Sequence, residues 1–167
     1  MKLFCKKTGI GTIGIVDSGG VVSNLFFDPC SVSQEIERGE TPLAIEAFRQ
    51  LDAYLRGDLK AFSLPLEPTG TPFMKRVWEV LSVIPYATRV TYSEIAKAAG
   101  NPRAVRSVAS ACGRNPLPLF IPCHRVVRSD GKMGGYLGGS VLKAGLLELE
   151  KKSAYDDPSF YMNVHDC

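Results

Sequence analysis

Histidine is scarce in this sequence: His124 and His165 are the only two among 167 residues. The five cysteines, Cys5, Cys30, Cys112, Cys123 and Cys167, are odd in number and widely scattered, with no C-x-x-C pair. Together these shortages argue against a disulfide framework and leave a zinc site without ligands at the spacing it needs, so no metal is expected. No apolar run approaches the roughly 20 residues that a membrane-spanning helix requires. The opening Met-Lys-Leu-Phe-Cys-Lys-Lys lacks the apolar centre of a secretory signal. No phosphate-cradling glycine motif is present either. What is left is an ordinary globular composition, 45% hydrophobic and 22% charged, read as an intracellular protein with reduced thiols and no membrane contact.

Charge is unevenly placed. Residues 71–128 hold nine lysines and arginines against two acids, Glu79 and Glu94, a net of +7 in a chain whose total is +3, which leaves −4 for the remainder. Such a segment is either a solvated face or a polyanion-binding one. Its neighbours give it structure. Residues 10–16 and 21–27 alternate like strands around the turn Asp17-Ser18-Gly19-Gly20 and predict a hairpin. Thr41-Pro42 is a helix start, and Ala44, Ala47, Phe48, Leu51 and Leu55 recur at helical spacing up to Gly57, giving an apolar face to pack on that hairpin. Pro65-Leu66-Glu67-Pro68-Thr69-Gly70 reads as a linker between a domain at 1–68 and another at 69–152, followed by a solvated tail at 153–167.

The second domain opens with Thr71-Pro72 and a helix carrying Phe73, Val77, Trp78, Val80, Leu81 and Ile84. Thr91-Tyr92-Ser93-Glu94 is a capping box that begins a helix ending at Gly100. Asn101-Pro102 predicts the start of a further helix over 102–111, where Arg103, Arg106 and Ser107 stand among small residues. Two short helices joined by a tight turn are either a plain helical hairpin or a helix-turn-helix whose second member enters a DNA groove.

The stretch 115–127, Asn-Pro-Leu-Pro-Leu-Phe-Ile-Pro-Cys-His-Arg-Val-Val, holds a lone thiol in a proline-stiffened segment. Cys123 is followed by His124 and Arg125, neighbours that favour a thiolate. A free cysteine is also a common buried residue, so Cys123 reads either as structural or as a nucleophile. Adjacent side chains couple only through a turn, a helical start or a bridging water. Beyond it, Ser129-Asp130-Gly131-Lys132 is a turn, Gly134-Gly135-Tyr136-Leu137-Gly138-Gly139 permits close backbone approach to a flat ligand, and residues 141–150 form a last helix ending in Glu150.

Ile121-Pro122-Cys123-His124-Arg125-Val126, with Asn115-Pro116 before it and the glycine-rich run after it, resembles the active-site signature of the O6-alkylguanine-DNA alkyltransferases, the methylated-DNA–protein-cysteine methyltransferases. The likeness is continuous from about Thr71 to Glu150; before Thr71 it is one of length and layout. It implies an α+β protein, with a small N-terminal sheet-and-helix domain of RNase H-like type and a winged helix-turn-helix domain bearing the active site. It implies one alkyl transfer per molecule from O6-alkylguanine in duplex DNA, with O4-alkylthymine as the related lesion, and no cofactor. On the resemblance Cys123 is the nucleophile, His124 a base acting through water, and Glu150 the carboxylate that orients it, with Asn115 in the same network. Tyr92 lies by the flipped base, and Arg106 fills the vacated stack. Arg103, Ser107 and Arg125 join Tyr92 and Arg106 in contacting DNA, and Val126, Gly134, Gly135, Tyr136 and Gly138 wall the pocket. Leu137 stands where family members often have serine. A monomer acting on double-stranded DNA is implied, in the cytoplasm, or the nucleus of a eukaryote. A thiol hydrolase or redox enzyme using the same Cys-His pair remains open, as does a non-catalytic binder of alkylated DNA, though binders of that kind lack the cysteine kept here.

Overall fold

In the computed structural model, which describes residues 1–157, strand formation starts earlier than the predicted hairpin. β1 (Lys2–Thr8) pairs antiparallel with β2 (Gly11–Asp17), which pairs with β3 (Val22–Phe26). The turn before β3 is held by the Gly20 amide donating to the Asp17 carboxylate at 2.8 Å. β1 escaped the periodicity because only Leu3 is buried along it; Lys6 and Lys7 face water, and pairing with β2 supplies its order. A two-residue strand, β4 (Glu37–Arg38), runs parallel to β1 and completes the order β3-β2-β1-β4.

Helix α1 (Pro42–Leu55) is capped by Thr41, whose hydroxyl accepts from the Ala44 amide at 3.1 Å. Its buried face, Ala44, Ala47, Phe48, Leu51 and Tyr54, packs on the sheet, with Phe4 edge-on to Phe48. Burying a side chain the size of Leu51 or Phe48 contributes about 1.5–3 kcal/mol. The 65–70 segment is tied down as well: the Val22 amide donates to the Pro65 carbonyl and the Glu67 amide to the Val22 carbonyl, extending the edge of β3. One hydrophobic cluster then runs from Ile13 through Tyr54 and Trp78 to Leu146.

α2 (Pro72–Ser82) begins at its threonine cap and buries Val77, Trp78 and Leu81. The Trp78 ring lies so close to Gly70 that a Cβ there would sit 2.5 Å from it, and its indole N–H donates to the Ala111 carbonyl at 2.9 Å. β5 (Val90–Thr91) leads into α3 (Tyr92–Ala98), where both halves of the capping box form. The next helix, α4, spans Val105–Gly113 and so starts three residues later than the sequence suggested. Residues 101–104 are a turn instead, closed by the Ala104 amide on the Asn101 carbonyl, with the Asn101 side chain accepting from the Arg103 amide. Arg103 therefore sits in the turn, while Arg106 and Ser107 lie on the helix, all three exposed.

β6 (Val126–Val127) pairs parallel with β5 and brings the 115–127 stretch beside α3. α5 (Ser140–Tyr155) outruns its predicted end at Glu150, because Ala154 on the next turn finds a buried site. The solvated tail expected from 153 thus opens inside a helix, and residues 158–167 of it lie outside the described residues. Among the described residues no helix is long and apolar enough to cross a membrane.

Trp78 joins α2 to α4 by packing and by its one hydrogen bond. Trp78→Ala should lower stability by about 3–5 kcal/mol, read as a fall in the urea midpoint at constant m.

Candidate active site

Cys123, His124 and Arg125 occupy a single 3-10 turn, the geometry that lets adjacent residues address one site. Residues 117–122 deliver that turn. The Ile121 amide donates to the Leu117 carbonyl and the Cys123 amide to the Ile121 carbonyl, both at 2.8 Å. Leu119 is held at φ 74°, a left-handed conformation that costs a leucine about 1 kcal/mol or more and persists only under surrounding constraint. Asn115 is part of that constraint: its side-chain amide donates to the Ile121 carbonyl at 2.9 Å and to the Cys123 sulfur at 3.3 Å, while its oxygen accepts from the Leu117 amide.

The imidazole of His124 is completely buried, and its Nε2 lies 2.8 Å from Glu150 Oε1. Glu150 also accepts from the Tyr54 hydroxyl at 2.7 Å, from Arg125 Nε and Nη2, and from the Ala87 amide at 3.1 Å. Burial alone would push this carboxyl up, but the bonds from His124 and Arg125 prevail and hold it at about 2. Burial dominates at His124, whose pKa falls below the ordinary value despite the carboxylate. The ring is therefore neutral at neutral pH, with its proton on Nε2 toward Glu150. Nδ1 keeps a lone pair and has no hydrogen-bond partner among the described residues. Desolvation likewise raises the Cys123 thiol above its ordinary value, Asn115 and Lys143 opposing it. Cys123 thus rests as a thiol, and the thiolate expected from its sequence neighbours is not the resting form.

A cleft of about 350 Å³ opens onto the sulfur, walled by Tyr92, Cys112, Cys123, Gly135, Tyr136 and Leu137. Gly134, expected in the wall, stands behind Tyr92 instead: it has φ 75°, and a Cβ there would come 2.7 Å from the Tyr92 hydroxyl. Burial raises the Tyr92 phenol to about 12, which keeps it protonated and able to donate.

Three further expected positions are corrected. Arg125, expected to contact DNA, instead has its guanidinium buried and spent on Glu150 and on the Ile84 carbonyl at 2.7 Å. Val126 lies fully buried behind the cleft in β6, and its carbonyl accepts from Lys143. Gly138 packs against Leu142, Tyr136 and Phe27 and faces a separate groove beside α5. Two residues went unread: Tyr54, since nothing before residue 65 suggested chemistry, and Lys143, which passed for a polar position on an amphipathic helix. Tyr54 carried a signal only in its helical register with Leu51.

Comparison with known proteins shows the family of the chain. The profile of the 6-O-methylguanine DNA methyltransferase DNA-binding domain matches residues 72–152. The constitutive methylated-DNA–protein-cysteine methyltransferase of Bacillus subtilis (strain 168) is 41% identical over 154 residues, covering 88% of this chain and 93% of its own. The chain belongs to the methylated-DNA–protein-cysteine methyltransferase family. Among solved members, Mycobacterium tuberculosis OGT in complex with DNA superposes with a TM-score of 0.84 at 37% identity, over 92% of this chain and 94% of that one. The O6-methylguanine-DNA methyltransferase of Pyrococcus kodakaraensis strain KOD1 gives 0.70 at 30% identity, over 89% and 98%. The family's fold therefore extends through the N-terminal half, where the residue-level likeness was thin, and includes the helix that delivers Tyr54.

Glu150 generates a pH prediction. Its folded pKa lies below the unfolded one, so its stabilisation is complete above about pH 4.5 and is lost as pH falls toward about 2. Glu150→Gln should cost about 3–5 kcal/mol at neutral pH, the scale for breaking a buried ion pair. Urea melts of both proteins across the acid range should converge as pH drops; a constant gap would contradict the assignment.

Proposed function

We propose that this chain repairs duplex DNA by moving a methyl or similar alkyl group from O6 of guanine onto Cys123, once per molecule. The observation that carries the reading is the division of labour on His124: Nε2 is locked to Glu150, and Nδ1 is left with a lone pair in the turn that presents the thiol to the cleft.

An alkyl group on guanine O6 lies within the base stack, so the nucleotide must be extruded before a thiol can reach it. The exposed face of α4 supports that step. Arg106 is long enough to enter the vacated stack, and Arg103 in the preceding turn and Ser107 on the helix meet backbone phosphates. With the base in the cleft, the Cys123 proton passes through a water to His124 Nδ1, and Glu150 stabilises the imidazolium. The thiolate attacks the alkyl carbon, an S–C bond forms, and the C–O bond breaks with its electron pair passing to the guanine. Tyr92, protonated at neutral pH, donates to the ring as that charge develops. Asn115 holds the sulfur in line. Leu137 offers the base no hydroxyl, so backbone amides of the 134–138 loop serve the guanine oxygen. The thioether product has no leaving group, which makes the reaction stoichiometric and cofactor-free. A protein acting on genomic duplex works where that duplex is, in the cytoplasm or, in a eukaryote, the nucleus.

With excess duplex containing O6-methylguanine, intact mass should increase by one methyl, mapped to Cys123 and absent from Cys5, Cys30, Cys112 and Cys167. Multiple turnovers would favour a thiol hydrolase, and binding without any mass change would favour a non-catalytic reader. Cys123→Ser should reduce transfer by roughly 10³-fold or more while leaving duplex binding in place.

Arg106→Ala should slow transfer from duplex by roughly 10- to 100-fold, matching the few kcal/mol of unstacking it offsets, with reaction of the free alkylated base unchanged. Equal slowing of both substrates would refute the stack-filling role.

A further inference from the structure

Lys143 projects from α5 into the interior, where its side chain has no solvent exposure. Its ammonium donates to the carbonyls of Val126 at 2.6 Å, Met133 at 2.6 Å and Gly135 at 3.2 Å, so all three N–H bonds are used. Among the described residues no carboxylate pairs with it. Glu150, two turns further along the same helix, is taken by His124, Arg125 and Tyr54. Burying a cation without a counter-ion is costly, and a surface lysine or an apolar residue would complete α5 without that cost.

The place it occupies gives the reason. Val126 follows the 3-10 turn of Cys123, and Met133 and Gly135 bracket Gly134, the residue pressed against Tyr92. One ammonium therefore joins α5, the segment after the nucleophile and the loop that walls the cleft. The groups around it are Tyr92 of α3, whose ring centroid lies 6.0 Å away, Cys112 of α4, and Cys123 and His124 of the 3-10 turn. Of these, Cys123 is the one that becomes an anion during transfer.

We propose that Lys143 is a positioning residue for this reaction, clasping the cleft loop to the nucleophile segment and supplying the fixed positive charge against which the Cys123 thiolate forms. The proposal rests on the alkyl-transfer reading for its purpose and on the three carbonyl bonds for its geometry. Burial lowers the lysine below its ordinary value and raises the thiol above its own; the ammonium opposes the second effect, and the Cys123 thiolate opposes the first.

Lys143→Gln keeps an N–H donor for the carbonyls and removes the charge. The measurement is the rate at which iodoacetamide alkylates Cys123 as a function of pH, located by peptide mass, beside methyl transfer from duplex. The rising limb should move up by about one pH unit, and transfer at neutral pH should fall about tenfold. A slower rate with an unmoved limb, or a profile like the wild type, would overturn the electrostatic role. A second measurement requires no lysine variant: with 13C-labelled lysine, the Lys143 titration should shift downward in Cys123→Ala relative to wild type, and an unshifted titration would also overturn the proposal. Failure of the wild-type protein to take a methyl from DNA would refute the function alone, since the iodoacetamide profile needs no DNA.

Discussion

Glu150 is the buried charge on which the remaining geometry depends. Its carboxylate is fully enclosed and accepts from four residues in three separate parts of the chain: Tyr54 on α1, the Ala87 amide after α2, and His124 and Arg125 in the 3-10 turn. A carboxylate in an apolar interior is tolerable only when its lone pairs are filled, so each donor is held as firmly as the charge requires. The halves before and after the 65–70 segment are thereby bound through a polar centre as well as through their continuous core. Arg125 belongs to this centre, which explains why a cation next to the nucleophile does little for the nucleophile directly.

That arrangement places two demands on one segment. Burial protects a reactive sulfur and raises the energy of its ionised form; catalysis needs that form. The structure keeps the thiol protonated at rest and sets in the same 3-10 turn a neutral imidazole whose Nδ1 has no partner among the described residues, the nitrogen that the proposed function uses as the base. Asn115 and Lys143 favour the anion without themselves being consumed. A protein used once gains from such a resting state, because stray alkylation or oxidation of an open thiolate would end its useful life before it met its substrate.

The cleft loop illustrates how small residues serve two purposes. Gly134 lets backbone press against Tyr92, and Gly138 lets α5 pack onto Tyr136 and Phe27. Tyr92 and Tyr136 both line the cleft beside Cys123, whereas Gly138 itself faces the separate groove. A glycine-rich run therefore announced close approach correctly without saying what each glycine approaches.

Local chemistry was legible in the sequence wherever it is short-range. The Thr41, Thr71 and Thr91 caps, the Asp17 turn and the apolar face of α1 all act within a few residues and stand in the structure as read, and α2 keeps Val77, Trp78 and Leu81 of its face but ends at Ser82, before Ile84. Helix ends were misplaced where a neighbour decided them: Asn101 spends its side chain on a turn, and Ala154 extends α5 into a site built by other segments. Arg125 was placed wrongly from sequence, and Tyr54 and Lys143 could not be placed at all, because a tyrosine 70 residues before His124 and a lysine among surface-type neighbours acquire roles only from partners distant in the chain. Hydrogen bonds and burial at long sequence separation carry no periodic signature, so the candidacy of Cys123 was written in its own neighbourhood, while the environment around its thiol was decided by tertiary packing.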